Sequence, residues 1–435
     1  MTNGHQAILE ADGTFWLATS AEDVECGHLV VAADGRAKVE VTPELYPGFE
    51  FEIDSVEPNG TTTSHLTPTP ERGPQTLHGL LDNTGGEPVP VSLIQAHATH
   101  WSGGAQTFEP LWTLVGAHIA KEAPFQGIRV RVPGIGSASS DALPLADGGT
   151  VRMAEGWFEV NGLPPSRYHE LGRTVVRPLC TLLTLTSGVT VRPLAVQISS
   201  EAGRWWPVHA GPRPVVEETE LPRQQLIHPS DLTLEVVATW LGRATALGPL
   251  PGAFASVLET DLSVEAQALI LTTVAEGLHR VLYPDRHRFS VEHGEIVRNA
   301  AVGAVRRVDE NKSTADAVNG FLSHVHEVSY ATRLQELAGR AEELVPGITG
   351  KTARWKALVY ETRNRYAHQA SADWMGEDDL DRVLTTAQSL RWVLRLLLLD
   401  QADVDVELLG QRFADHQQYQ FFLTNAAQWR PTVYD

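Results

Sequence analysis

The chain has 435 residues, more than one hydrophobic core usually organises, so two or more domains are expected. With 42% hydrophobic and 20% charged residues it falls among ordinary globular proteins, outside the disordered and fibrous classes. A formal charge of −20 excludes a protein that coats nucleic acid through a uniformly basic surface, and two isolated cysteines, Cys26 and Cys180, exclude a disulfide framework or a cysteine-based zinc site.

The N-terminus MTNGHQAILEADG lacks a basic stretch followed by an apolar run, and the most apolar segment, 392–399, is too short to span a bilayer. A cytoplasmic protein with no membrane partner is expected. The first 215 or so residues are patterned as short strands: 15–19, 28–32, 37–42, 76–81, 89–94, 114–119, 128–132, 156–160 and 189–198. Gly, Pro, Asp and Asn punctuate the gaps, and no series of long helices intervenes, so an antiparallel sandwich or barrel is expected over 1–215. Residues 58–74 and 133–149 have loop composition.

Near 212–222 a Pro- and Glu-rich connector gives way to helical periodicity, with Ser230 and Asp231 as N-cap candidates. Helices are expected over 232–246, 264–283, 314–344, 353–369, 378–399 and 406–417. The fold class is thus α+β and multidomain: a β-rich domain over 1–215, a helical connector over 216–261 and an all-α bundle over 262–435.

The charge is uneven. Residues 1–261 hold 15 basic and 30 acidic side chains, whereas 262–435 hold 19 and 24. Within 351–368, Lys351, Arg354, Lys356, Arg363 and Arg365 stand against Glu361 alone, which makes that segment a candidate anion-binding surface. It also reads as one helix, ARWKALVYETRNRYAHQ, with Trp355, Leu358, Val359, Thr362 and Tyr366 in one apolar stripe. Projected at about 100° per residue, Arg363 lies about 80° from Trp355, Asn364 about 180° and His368 about 220°, so the polar trio falls off the core face.

These types suit metal-independent RNA cleavage. A ribose 2′-hydroxyl must lose a proton and the departing 5′-oxygen must gain one, work that suits His368 near neutral pH. The extra negative charge of the phosphorane-like transition state suits the planar guanidinium of Arg363. Asn364 can donate and accept at once, to orient a ring or bind a phosphate. Arg363 and His368 are about 140° apart around one axis, which points to a site shared by two copies of the helix.

RNRYAH, residues 363–368, resembles the Arg-Asn-x-x-x-His signature of HEPN ribonucleases. AEGLHRVL (275–282), YATRLQELAGR (330–340) and TWLGRATALGPLPGAF (239–254) resemble further segments of ApeA-like HEPN proteins. TLHGLLDNTGGEPVPVSLIQA (76–96) and TLVGAHIAKEAPFQGIRVRVPGI (113–135) resemble their N-terminal domain. The resemblance implies an anti-phage abortive-infection effector that a phage component activates and that cuts RNA, tRNA in some relatives. It carries the catalytic roles to Arg363, Asn364 and His368. RNA binding is expected from Lys351, Arg354, Lys356 and Arg365, assembly as a homodimer or higher homo-oligomer, and neither metal nor cofactor. Glu276 matches an acidic family position but is given no catalytic role. The rival is a catalytically inactive HEPN scaffold that binds a phage-derived or nucleic-acid ligand.

Other features read as structure. His324 and His326, with His279, His287 and His293 nearby, are expected on a helix with their rings apart. PGIGSASSD (133–141) lacks the lysine and helix of a phosphate loop. Trp101, Trp205 and Trp206 are expected to fill a β core. The acidic runs EETE (217–220) and EDDLD (377–381) read as a solvated connector and a helix N-terminus.

Overall fold

A computed structural model describes residues 7–42, 45, 49–56, 62–68, 74–102, 104–134, 140–200, 203–211, 224–259, 261–309, 311–368 and 376–435. For residues 49–56, 62–68, 100–102, 230, 367 and 368 the description is of the backbone alone. The 212–222 connector with its EETE run, residues 135–139 of the PGIGSASSD loop and the Trp101 side chain lie outside it. The chain divides into two compact units, Met1–Cys180 with Val191–Leu221, and Thr181–Thr190 with Pro222–Asp435.

The first unit is an antiparallel β-barrel with extra strands. Its strands are β1 (Ala7–Leu17), β2 (Ser20–Ala32), β3 (Ala37–Thr42), β4 (Phe49–Val56), β5 (Thr62–Pro68), β6 (Gln75–Leu81), β7 (Val89–Ser102) and β8 (Ala105–Glu109). Then follow β9 (Trp112–Val115), β10 (Gly127–Arg131), β11 (Leu143–Pro144), β12 (Thr150–Ala154), β13 (Trp157–Asn161), β14 (Ala195–Ser199) and β15 (Trp206–Ala210). The barrel closes through the pairings β1–β2, β2–β3, β3–β8, β8–β7, β7–β6 and β6–β1. Strand β7 makes closure possible because its first half pairs with β6 and β9 and its second half with β8, and Gln95, at φ 53°, marks the change of direction. From β9 the sheet continues through β15, β14, β10, β13 and β12 to β11, while β4 and β5 form a separate hairpin.

Alternation packs the barrel. Along β3, Ala37, Val39 and Val41 point inward and the residues between them outward, the period of two that a half-buried strand requires. Phe15 spans the interior, and a Cβ on Gly27 or Gly79 would fall 2.8 or 2.5 Å from its ring, so both glycines leave room for it.

Two short helices follow β13, and the second passes at Thr181 from the first unit into the second. Helix α1 (Tyr168–Leu171) passes through a wide π-type turn, Gly172–Val176, into α2 (Arg177–Ser187). The Leu- and Thr-rich run of α2 looks strand-like. Burial overrides propensity there: the Thr186 and Ser187 hydroxyls donate to the Leu183 carbonyl at 3.0 and 2.7 Å, which satisfies them inside a helix.

The second unit is helical: α3 (Leu234–Leu247), α4 (Leu250–Glu259), α5 (Val264–Leu282), α6 (Val291–Val308), α7 (Lys312–Phe321), α8 (Tyr330–Leu344), α9 (Thr352–His368), α10 (Glu377–Gln401), α11 (Val406–Asp415), α12 (Gln417–Trp429) and α13 (Pro431–Tyr434). Thr233, not Ser230 or Asp231, caps α3, while Asp231 pairs with Arg412. The helix expected over 314–344 is two helices, because the chain turns after Phe321, where the Ser323 hydroxyl bonds back to the Gly320 carbonyl at 2.7 Å.

Helices α5, α8, α9 and α10 pack on one another, with α10 innermost. Its residues Trp392 to Leu399 are all buried, the all-round burial of a central helix. One of them is Arg395, whose guanidinium donates to the Leu185 and Thr186 carbonyls at 2.5 and 3.0 Å, at the negative C-terminal end of α2, where the Thr186 carbonyl also accepts the Leu226 N–H at 2.9 Å.

His416, between α11 and α12, lies with its ring 5.3 Å from that of Trp392. Burial, reinforced by the Arg395 charge, pushes its pKa down from 6.5 to about 4. The folded state thus keeps neutral a ring that the unfolded chain protonates. Its contribution is complete above about pH 6.5 and is lost as the pH falls toward 4. Thermal melts of His416→Gln should show a smaller loss of Tm between pH 7 and pH 5 than the unaltered chain; an unchanged loss would show that this ring does not set the acid side.

Candidate functional site

Helix α9 is anchored before its polar residues are reached. Glu342 of α8 accepts the Gly347 and Thr349 N–H groups, each at 2.7 Å, which fixes the turn between α8 and α9. The Lys351 N–H donates to the Val433 carbonyl at 2.7 Å, tying the start of α9 to α13. Along the inner face Trp355, Leu358, Val359 and Thr362 are buried, and Tyr366, expected in the same stripe, is half-buried. Trp355 donates its indole N–H to the Ser389 hydroxyl at 3.0 Å, and the Thr362 and Thr386 hydroxyls share a hydrogen bond of 3.0 Å. Ser389 and Thr386 both belong to α10, so the rotation of α9 about its axis is set.

That rotation turns Arg363 toward α5 and α8. Its Nη2 donates to Glu276 Oε2 at 2.9 Å, and its guanidinium carbon lies 4.5 Å from the ring centroid of Tyr330. The Tyr330 hydroxyl donates to the Thr272 carbonyl at 3.2 Å, and burial pushes its pKa far up, so it remains a protonated donor. Glu276 also meets Arg280 at 3.3 Å. Arg280 in turn reaches Glu327 at 2.7 Å, which also takes Arg333 at 2.6 Å and His324 at 2.8 Å. Burial opposes the Glu327 charge, but the hydrogen bond and charge of Arg280, with Arg333 beside it, hold its pKa below the usual carboxylate value. The result is a line of alternating charge: Arg363, Glu276, Arg280, Glu327, Arg333.

The other basic residues are placed differently. Arg365 leaves the opposite flank of α9 and binds Asp379 of α10 through two hydrogen bonds of 2.5 and 2.7 Å. Lys351 and Arg354 are exposed and Lys356 half-buried near the start of α9, with Lys351 roughly 18 Å along the axis from Arg363 at 1.5 Å per residue. Asn364 is half-buried. His368 is the last residue of α9, and its side chain lies outside the described atoms, as does all of Asp373. Arg363 thus pairs with a carboxylate 87 positions earlier in the chain.

Two further expectations need correction. His324 and His326 sit in the turn after α7, not on a helix, and the His326 ring packs edge-on against His287 at 5.5 Å. Trp205 and Trp206 are half-buried and cover the Arg129 and Arg204 guanidiniums at 5.0 and 5.4 Å instead of filling a core. Among the described residues, no group of three or more His, Cys, Asp and Glu side chains is arranged to hold a metal ion, and no helix is long and apolar enough to cross a membrane.

The two faces of α9 should respond differently to truncation. Trp355→Ala removes a fully buried indole and should cost about 3–5 kcal/mol, whereas Arg363→Ala removes a partly exposed pair and should cost no more than about 2 kcal/mol. Urea midpoints measure both. Equal losses would make Arg363 a structural residue.

Comparison with known proteins agrees with this helical arrangement. Residues 269–408, from within α5 to within α11, match the family model described as Apea-like HEPN, and the match contains Glu276, Tyr330, Arg363 and His368. Neither the search of curated proteins nor that of solved structures gives a match. The C-terminal helical region of this chain therefore carries an Apea-like HEPN domain.

Proposed function

We propose that the helical unit is a metal-independent endoribonuclease with Arg363, Asn364 and His368 at its active site. The observation that carries this reading is the setting of Arg363. It leaves the core face of a firmly anchored helix and is held against Glu276 and Tyr330, on the same helix as His368 and inside the family match.

The chemistry follows from the side chains. A histidine base takes the proton of a ribose 2′-hydroxyl, the oxygen attacks the adjacent phosphorus, and the 5′-oxygen leaves with a proton returned to it. The products are a 2′,3′-cyclic phosphate and a 5′-hydroxyl, and water later opens the ring. Arg363 stabilises the charge on the phosphorane oxygens and Asn364 orients the ring or the phosphate. Glu276 keeps the guanidinium in place until a phosphate competes for it, which makes Glu276 a positioning residue. Because Arg363 and His368 diverge by about 140° around α9, two copies of the helix facing across a two-fold axis complete each site. Lys351, Arg354, Lys356 and Arg365 then flank the RNA path.

In this account 1–215 is a sensor or regulatory domain, 216–261 a connector and 262–435 the nuclease. The whole acts in the cytoplasm as an abortive-infection effector against phage, triggered by a phage component and cutting cellular RNA, with tRNA as a candidate target. A second reading, an inactive scaffold that binds a phage-derived or nucleic-acid ligand, draws on the same ion pair, since Glu276 neutralises Arg363.

Arg363→Ala and His368→Ala should each reduce RNA cleavage by at least about a hundredfold, the range of a lost charge stabiliser or acid–base group. Wild-type turnover by either variant would remove that residue from the mechanism. Mixing the two inactive variants should restore part of the activity if sites are shared between copies. A monomer by light scattering that cuts RNA at full rate would contradict the shared site.

A further inference from the structure

A cleft of about 300 Å³ opens beside the residues that hold Arg363. Glu276 and Tyr330 form part of its wall, so it begins beside the Arg363 guanidinium. Arg280, Arg288 and Arg333 line it against the carboxylates of Glu276 and Glu327. Arg280 and Arg333 are both bound to Glu327, and Arg280 also meets Glu276. Arg288 is exposed, and no described carboxylate pairs with it, so it contributes the excess positive charge. Its backbone is nonetheless held, because the Arg288 N–H donates to the His326 carbonyl at 2.8 Å.

At the mouth stands Phe321, the last residue of α7, 87% exposed. A large aromatic face left in water beside an uncommitted guanidinium is the pair of groups that a nucleotide uses: the ring stacks on a base and the guanidinium meets a phosphate. A protein partner would call for a wider apolar surface than Phe321, Val325 and Val328 provide, whereas Arg280, Arg288, Arg333, Glu276 and Glu327 make most of the remaining lining charged. The contents suit one nucleotide of a strand whose next phosphate reaches Arg363.

We propose that this cleft is a nucleotide subsite for RNA, in which Phe321 stacks the base next to the cleaved bond and Arg288 binds its phosphate. The proposal rests on the ribonuclease reading for its substrate, but its test does not need cleavage. Binding of a short single-stranded RNA with 2′-O-methyl groups, which cannot be cut, is measured by fluorescence polarisation with the full chain. Phe321→Ala and Arg288→Ala should each weaken binding about tenfold, within the range for loss of one stacked base or one phosphate contact, and Phe321→Trp should restore it. The melting temperatures should not move, because both side chains are exposed. With cleavable RNA the same variants should raise KM and leave kcat unchanged.

Equal affinity in all variants, or no binding by the unaltered chain, would overturn the subsite. Tight binding of a free mononucleotide through the same two residues, matching that of the strand, would also overturn it in favour of a small-molecule ligand. If the strand binds through Phe321 and Arg288 but is never cut in its unmethylated form, the subsite stands and the nuclease reading falls.

Discussion

The burial of α10, which begins at Val383 and is complete from Trp392 to Leu399, governs the helical unit, because it turns each polar group on its neighbours into a directional constraint. A helix wrapped in apolar contacts has no water to satisfy a misplaced donor, and an unpaired buried polar group costs on the order of 1–3 kcal/mol. The Trp355 indole N–H of α9 is met by Ser389 of α10, and the Thr362 hydroxyl, which donates to the Leu358 carbonyl, accepts from the Thr386 hydroxyl of α10. Arg395 solves the opposite problem, a charge inside the core, by capping the carbonyls at the end of α2. Apolar packing alone would tolerate some rotation of α9; two hydrogen bonds along its inner face do not.

Once that rotation is set, the two arginines of RNRYAH part company. Arg365 goes to Asp379 at the first turn of α10 and becomes a structural clamp. Arg363 goes to Glu276 and Tyr330, where the line of alternating charge on α5 and α8 begins. A short basic segment is therefore divided by helical geometry between a pair with α10 and a pair with α5. Net charge, strongly negative for the chain as a whole, says nothing of this division.

Much of the architecture was legible in the sequence. Strand β3 coincides with the expected 37–42 because its alternation is clean and a tight turn precedes it, and α5, α9 and α10 fall within two residues of expectation because their apolar periods are long and strong. What escaped had physical reasons. In α2, the repeated Thr residues favour strands, and hydroxyl bonds to carbonyl acceptors within the buried helix offset that preference. Helix α6 buries only Gly294, so its apolar pattern is weak, and α7 was merged with α8 because no proline marks the turn between them. At the candidate site, spacing and residue type put Arg363, Asn364 and His368 off the core face of one helix and give Glu276 no role. The pairing of Glu276 with Arg363 and the part played by Tyr330 join three helices, which no local pattern could reveal.

The central claim is that Arg363 and His368 carry out transphosphorylation without a metal ion. The most direct measurement is the chemistry of the cut ends, read from an RNA incubated with purified protein in excess EDTA. Cleavage should persist and leave 2′,3′-cyclic phosphate, or the phosphate opened from it, opposite a 5′-hydroxyl; fragments ending in a 3′-hydroxyl, or cleavage abolished by EDTA, would contradict the account.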